Sequence, residues 1–247
     1  MKENKEIIFG KADLHVHSKY SWDSLSSIEN ILKEAKKKGL DIIAITDHNT
    51  IKGAQEAQRL AKNFGIEVII GEEISTKDGH LIALFINEYI APYQSALSTI
   101  KEIHKQDGLA IIPHPDNKFF NSISSRKLSE AFIETDGIEF FNGAAKIWIG
   151  NARQKELKRL NKKVFKRAAI AGSDSHLVRS VGCCYTFFIG NSSKDLYSAI
   201  KEKTTVVHGS VWNYRDKIFY FFTLPVIIYW NLFRLIKKHA KKVFKPF

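Results

Sequence analysis

Short apolar runs alternate with amphipathic stretches from about residue 11 to residue 190. Lys11 to Val16 predicts a first strand. From Ser26 to Lys38, Ile28, Ile31, Leu32 and Ala35 recur at helical spacing and Gly39 supplies a stop, which predicts a helix. Leu40 to Thr46 is apolar apart from Asp41, the pattern of a strand covered on both faces. A second helix is predicted over about Ile51 to Asn63, then a strand from Ile66 to Ile70 running into Gly71-Glu72-Glu73, and another from His80 to Ile86. A third helix, Tyr93 to Gln106, leads to the strand Leu109 to Ile112. Strand Gly137 to Phe141, a basic helix Ala152 to Arg167, strand Ala168 to Ala171 and a last strand Val181 to Ile189 complete the pattern. This alternation predicts an α/β fold: a parallel sheet with helical crossovers, open or closed into a barrel.

The length of 247 residues suffices for one α/β barrel, and 44% hydrophobic with 26% charged residues describes a folded chain rather than a disordered one. The two cysteines, Cys183 and Cys184, are adjacent, which excludes a disulfide framework and predicts a reducing, cytoplasmic setting. Residues 1–10 contain no apolar run of signal-peptide length. The net charge of +12 is uneven: Ser210 to Phe247 holds eight Lys or Arg against one acid, Asp216, so this segment carries +7 and the rest +5. We therefore expect two parts, a barrel over 1–209 and an aromatic, basic tail over 210–247.

The ionisable residues cluster at predicted strand ends. His15 and His17 are one residue apart on the first strand, a spacing that puts both imidazoles on one face of an extended chain. Asp47 and His48 follow one apolar strand, Glu73 another, His114 a third, and Asp174 and His176 a fourth. In a parallel α/β fold these ends share one rim. Such crowding is costly without cations and favourable with two or three divalent ones, for which carboxylates and neutral imidazoles are ligands. Each feature alone has a plain structural reading, as a turn or a helix cap; the combination does not. The sequence contains no Gly-x-Ser-x-Gly elbow, no glycine-rich phosphate loop and no Cys-x-x-Cys.

His15-Val16-His17-Ser18, Thr46-Asp47-His48, Gly71-Glu72-Glu73-Ile74-Ser75, Pro113-His114-Pro115 and Ser173-Asp174-Ser175-His176 together resemble the polymerase and histidinol phosphatase (PHP) family of metallophosphoesterases over roughly residues 11 to 190. The resemblance implies a distorted (β/α)7 TIM-like barrel with a centre of two or three divalent ions, zinc, manganese or iron. It implies that His15, His17, Glu73 and Asp174 hold one ion, Asp23, His48 and His176 a second, and Glu73, His80 and His114 a third. Glu72 rivals Glu73; the family pattern Gly-x-Glu-Ile-Ser favours Glu73. Ser24 replaces the glycine the family often has after the aspartate at position 23. Asp47 is expected to orient a ligand histidine. Asp174, His176 and His48 are the candidates to move protons while a metal-activated water attacks phosphorus, and Arg179, Asn142, Lys146 and Arg153 are candidates to hold substrate. The implied function is hydrolysis of a small phosphomonoester or of a nucleotide or oligonucleotide end, with nucleic acid a partner only as substrate. The alternative is a non-catalytic PHP-fold scaffold.

The tail has its own logic. Ile218 to Phe233 is almost wholly apolar and rich in aromatics. Beyond it, Arg234, Lys237, Lys238, Lys241, Lys242 and Lys245 recur on one helical face. The segment can pack on the barrel, lie on an anionic membrane surface at the inner face of the cell membrane, or span a bilayer.

Overall fold

The apolar runs assemble into one nine-stranded sheet that curls almost into a barrel, with strand order β7-β6-β5-β4-β3-β2-β1-β8-β9. The computed structural model describes residues 7–117, 121–125, 130–144 and 151–243, with side chains except at 151–154 and 234–243. The strands are β1 (Phe9–Val16), β2 (Ile42–Ile45), β3 (Glu67–Ser75), β4 (His80–Leu84), β5 (Leu109–Ile112), β6 (Gly137–Asn142), β7 (Ala168–Gly172), β8 (Cys184–Ile189) and β9 (Val206–Gly209). The helices are α1 (Ile28–Lys37), α2 (Lys52–Leu60), α3 (Ala96–His104), α4 (Glu130–Glu134), α5 (Asn151–Leu160), α6 (Ser193–Glu202) and α7 (Tyr214–Val243).

Helix α1 forms as its spacing predicts: Ile28, Ile31, Leu32 and Ala35 are all buried, and the Ser27 hydroxyl caps the Asn30 N–H. Burying each of the three larger side chains contributes about 1.5–3 kcal/mol. Its apolar face covers Val16, Ile43 and Ile45 on the outside of the sheet. The inside is a separate cluster, with Ala12, Leu14, Ile42, Ala44, Ile69, Ile82, Ile111 and Ile170 closed at one end by Leu196 and Ile200 of α6.

Two features differ from the expected all-parallel sheet. β1–β2–β3 and β5–β6–β7 pair in parallel, but β4 is antiparallel to both neighbours, as β8 is to β1 and β9 to β8. The reason for β4 is local. Only residues 76–79 link β3 to β4, with Gly79 at φ +134 and the Thr76 N–H bonded to the Gly79 carbonyl. That link permits a hairpin, whereas a parallel crossover needs about a dozen residues or more. The second difference is an additional unit after β8: α6 and β9. A capping box of Ser192 and Asp195 starts α6, a signature visible in the sequence.

The seam between β7 and β1 is stitched by side chains. Thr186 on β8 bonds both the N–H and the carbonyl of Ala171, at 2.9 and 3.0 Å. The buried Asp13 carboxylate accepts from the N–H groups of Ser173 (2.8 Å) and Gly182 (2.7 Å). At the rim, Val16 and Ser175 form an isolated parallel bridge.

Helix α7 lies along the barrel. The Trp212 indole N–H donates to the Ser173 carbonyl (2.7 Å), the Tyr220 hydroxyl to the Asp23 carbonyl (3.1 Å), and the Asn231 amide to the Trp22 carbonyl (2.7 Å). Among the described residues no helix is long and apolar enough to cross a membrane. Up to Phe233 the tail thus packs through one side, while its other side stays exposed.

Candidate metal centre

Two β-bulges aim the donors. Simple alternation from Ala12 and Leu14, which face the barrel interior, would turn His15 and His17 outward. The pairing of β1 with β2 slips between Asp13 and Val16, so that one extra residue is accommodated. Val16 then packs outward with Ile43 and Ile45, and both imidazoles swing into the rim. A second slip between Glu139 and Phe141 on β6 brings Asn142 to the same side as Glu139, and the Asn142 amide donates to that carboxylate at 2.8 Å. The antiparallel sense of β4 places the beginning of that strand, His80, opposite Ser75 at the end of β3. This is how a histidine that starts a strand reaches a rim built from strand ends.

The Glu73 carboxylate is the hub. One oxygen lies 3.3 Å from His15 Nε2, 3.2 Å from His17 Nε2 and 3.2 Å from His48 Nδ1. The other lies 2.9 Å from His80 Nδ1 and 3.1 Å from His114 Nε2. Asp174 Oδ1 is 3.4 Å from both His15 Nε2 and His17 Nε2. Asp23 Oδ2 is 2.8 Å from His176 Nε2 and 3.2 Å from His48 Nε2. Four overlapping donor groups result: His17, Asp23, His48 and His176; His15, His17 and Glu73; His15, His114 and Asp174; His48, Glu73 and His80. The donor atoms within each lie within 4.8 Å of one another. Glu72, the neighbour of Glu73, turns the other way and accepts the Ile90 N–H at 3.1 Å.

Electrostatics show what this cluster lacks. Burial opposes charge on His15, yet Asp174, Glu139 and Glu73 push its pKa well above the ordinary value. Burial opposes charge on His17 too, and its contacts with Asp174 and Glu73 still raise it to about 10. Burial would raise Asp174, but His15, His17 and His176 hold it well below the usual carboxylate range. Glu73 and Asp23 are depressed in the same way by their histidines, against the pull of burial. Burial takes His48 the opposite way, downward. Protons therefore do here what a cation does better, since His15 Nε2 and His17 Nε2 sit only 3.1 Å apart. Asp23 Oδ1, His48 Nδ1, Glu73 Oε2 and His80 Nδ1 are buried without a hydrogen-bond partner. A buried polar atom left so costs about 1–3 kcal/mol, and nitrogen and oxygen atoms of this kind are ligands for divalent ions. The donor set fits such ions.

Supporting residues hold the donors in place. Glu139, which belongs to none of the sequence motifs, bridges His15 Nδ1 (3.1 Å) and the His114 N–H (2.7 Å). Its signal was a lone carboxylate inside the apolar strand Gly137 to Asn142. Ser21 and Ser122 hydroxyls lie 3.1 and 2.9 Å from Nδ1 of His17 and His114. Gly172 leaves the room these groups need: a Cβ there would lie 2.3 Å from His15 Cβ and 2.8 Å from Glu139 Oε1. His114 and Asp174 occupy left-handed backbone, φ +29 and +51, strain of about 1–3 kcal/mol each that is typical of functional sites.

Among the described residues the Asp47 carboxylate has no hydrogen bond to a histidine. It accepts from the Ser18 N–H (2.6 Å) and hydroxyl (2.7 Å), fastening the β1 loop instead. Of the residues considered for substrate, Asn142 is buried and also donates to Asp174 Oδ2 at 3.1 Å. Arg179 pairs with Asp216 of the tail and lies over the Phe219 ring. Lys146 and the Arg153 side chain lie outside the described residues. Three aromatic groups border the centre: Trp22 stacks on His48 (ring centroids 5.6 Å apart, 22° between planes), and Tyr220 and Trp212 lie 5.1 and 6.1 Å from His176.

Known proteins share this architecture. The chain is 45% identical over 167 residues to an uncharacterized protein of Methanocaldococcus jannaschii, covering 63% of this chain and 96% of that one. It is 34% identical over 105 residues to a 5'-3' exoribonuclease of Haemophilus influenzae, 41% of this chain and 38% of that protein. Its fold superposes, with a TM-score of 0.67 and 20% identity, on a two-domain protein of Bacteroides vulgatus containing a predicted PHP-like metal-dependent phosphoesterase, covering 88% of this chain and 70% of that one. The family model of the PHP domain matches residues 13–166, more than half of the chain, and the PHP-associated model matches residues 156–205. On these grounds the chain belongs to the PHP domain family.

Proposed function

We propose that this chain, a metal-dependent phosphoesterase by family, hydrolyses the phosphate ester of a nucleotide or oligonucleotide end, or of a comparably small phosphomonoester. One observation carries the reading: nine histidine, aspartate and glutamate side chains, Glu73 and Asp23 among them, meet at the rim in overlapping groups and leave buried donor atoms unsatisfied. His15, His17, Glu73 and Asp174 would hold one ion, Asp23, His48 and His176 a second, and His80 and His114 with Glu73 a third. Divalent cations in such a site supply a water acidic enough to attack at neutral pH and neutralise the phosphoryl oxygens as charge builds.

The chain's own residues do the rest. In this reading Asp174 and His176, whose Nδ1 bonds the Asp174 carbonyl at 3.0 Å, are the candidates to move the proton of the attacking water. His48, whose pKa burial keeps low, stays neutral near pH 7 and is able to bind an ion without first losing a proton. The preference for a nucleotide rests on Trp22, which is 51% exposed at the mouth while its ring lies over His48. An exposed aromatic face beside the reacting centre suits base stacking, worth about 1–3 kcal/mol per base. The likeness to the exoribonuclease supports the same class.

The test is a screen of phosphorylated metabolites, mononucleotides and short oligonucleotides with added manganese or zinc. The expected result is release of phosphate or mononucleotide that Asp174→Ala abolishes. Turnover that survives both Asp174→Ala and His17→Ala would refute the site, and a protein that binds no ion under these conditions would fit the scaffold alternative.

A further inference from the structure

Helix α7 has two unlike sides. Asp216, Ile227 and Asn231 are buried against the barrel, and Tyr220, on the same side, is bonded to Asp23. The opposite side presents Phe221 and Phe222, 73% and 72% exposed, together with Val226, Tyr229, Trp230 and Phe233. Six large apolar side chains on one exposed face exceed the scattered apolar residues of an ordinary surface and mark an interaction site. In sequence, Ile236, Ala240 and Val243 continue the same spacing beyond Phe233, and Lys237, Lys238, Lys241 and Lys242 fall between them.

We propose that this outward face docks on an anionic lipid bilayer, with α7 lying in the plane of the headgroups. The charge argument selects that occupant. The segment from Ser210 to Phe247 carries eight Lys or Arg against one acid, so negative headgroups are complementary to it, whereas a second copy would bring two such segments together. Apolar aromatics on one side with lysines on the other is the make-up of helices that lie in a membrane interface, where Trp and Tyr rings are favoured. The inner side of the helix is tied to residues 21–23, so docking holds the donor cluster about one helix diameter, ~10 Å, from the headgroups. This inference does not rest on the hydrolytic reading.

Co-sedimentation of the full chain with phosphatidylcholine vesicles, with and without phosphatidylglycerol, tests it at low and high salt. The expected result is binding that requires phosphatidylglycerol and weakens with salt. Phe221→Gln/Phe222→Gln should weaken binding at least about tenfold without changing the melting temperature, because both side chains are exposed. Lys237→Glu/Lys241→Glu should remove the preference for anionic vesicles. Should the double glutamine variant melt early, Tyr229→Lys alone serves, with the same loss expected. Absence of binding to anionic vesicles, or undiminished binding by the Phe or Tyr variants, overturns the proposal. So does a concentration-dependent dimer, without lipid, that the glutamine variant dissolves, since the face would then belong to a second copy.

Discussion

Glu73→Gln separates a metal centre from a polar cluster held together by protons. The substitution keeps the side chain's volume and removes one charge. In the native chain that carboxylate lies within 3.3 Å of ring nitrogens of His15, His17, His48, His80 and His114, so it is common to more of the donor cluster than any other group. Losing an outer partner of a metal ligand already costs about 10–100-fold in affinity, so a shared ligand should cost at least about 100-fold. At a metal concentration near 100 times the native dissociation constant, binding stabilises the native chain by about 2.7 kcal/mol. The variant, at the same concentration, then gains only about 0.4 kcal/mol. For a domain of this size, these gains raise the melting temperature by roughly 5–10 °C and about 1 °C. The assay is differential scanning calorimetry of chelator-treated protein before and after adding manganese or zinc, with bound ions counted by elemental analysis. Glu72→Gln is the control. Burial keeps that carboxyl largely protonated, with a pKa of about 8, and it faces the Ile90 N–H, so glutamine mimics its neutral form and the metal response should be native. A full response in Glu73→Gln, or its loss in Glu72→Gln, would refute the assignment.

Three further outcomes are expected. Trp22→Ala should raise KM for a mononucleotide or oligonucleotide by roughly 5–150-fold and leave a ring-free phosphate ester nearly unchanged, read from steady-state kinetics on both. Metal uptake should release protons and weaken as pH falls from about 8 to 6, because His17, raised to about 10 in the metal-free chain, must give up its proton to bind; calorimetric titrations in buffers of different ionisation enthalpy measure this. At the far end of the barrel, Asp136 is held below the usual carboxylate range by His104, the Ala110 N–H and Lys201, against the opposing effect of burial. A depressed carboxylate adds stability above its unfolded pKa and loses it as pH falls through the folded value. Asp136→Asn should therefore cost about 1 kcal/mol at neutral pH and progressively less in acid, followed by urea unfolding at several pH values.

The donors were legible because their chemistry and order are properties of the chain. His15, His17, His48, Glu73, His114, Asp174 and His176 follow or end apolar runs, and a shared rim for strand ends is a general consequence of α/β folding. The helices α1 and α3 were legible for a similar reason, since 3.6-residue spacing is local information. What stayed hidden depends on partners far away in sequence. The bulge that turns His15 and His17 inward exists only in the pairing of β1 with β2, and the one that delivers Asn142 only in the pairing of β6 with β7. Glu139 reads as an isolated acid until the fold sets it 3.1 Å from His15, 124 residues away.

The amino-acid order by itself pointed to the side chains that could bind metal and to most of the strands and helices up to β8, because type and spacing act over a few residues. Only the tertiary structure decided that β4 runs backwards to bring His80 beside Glu73, that Glu139 reaches His15, and that up to Phe233 one side of α7 closes on the centre while the other stays bare. Those outcomes turn on register, strand direction and packing, which are relations between distant segments and have no local signature.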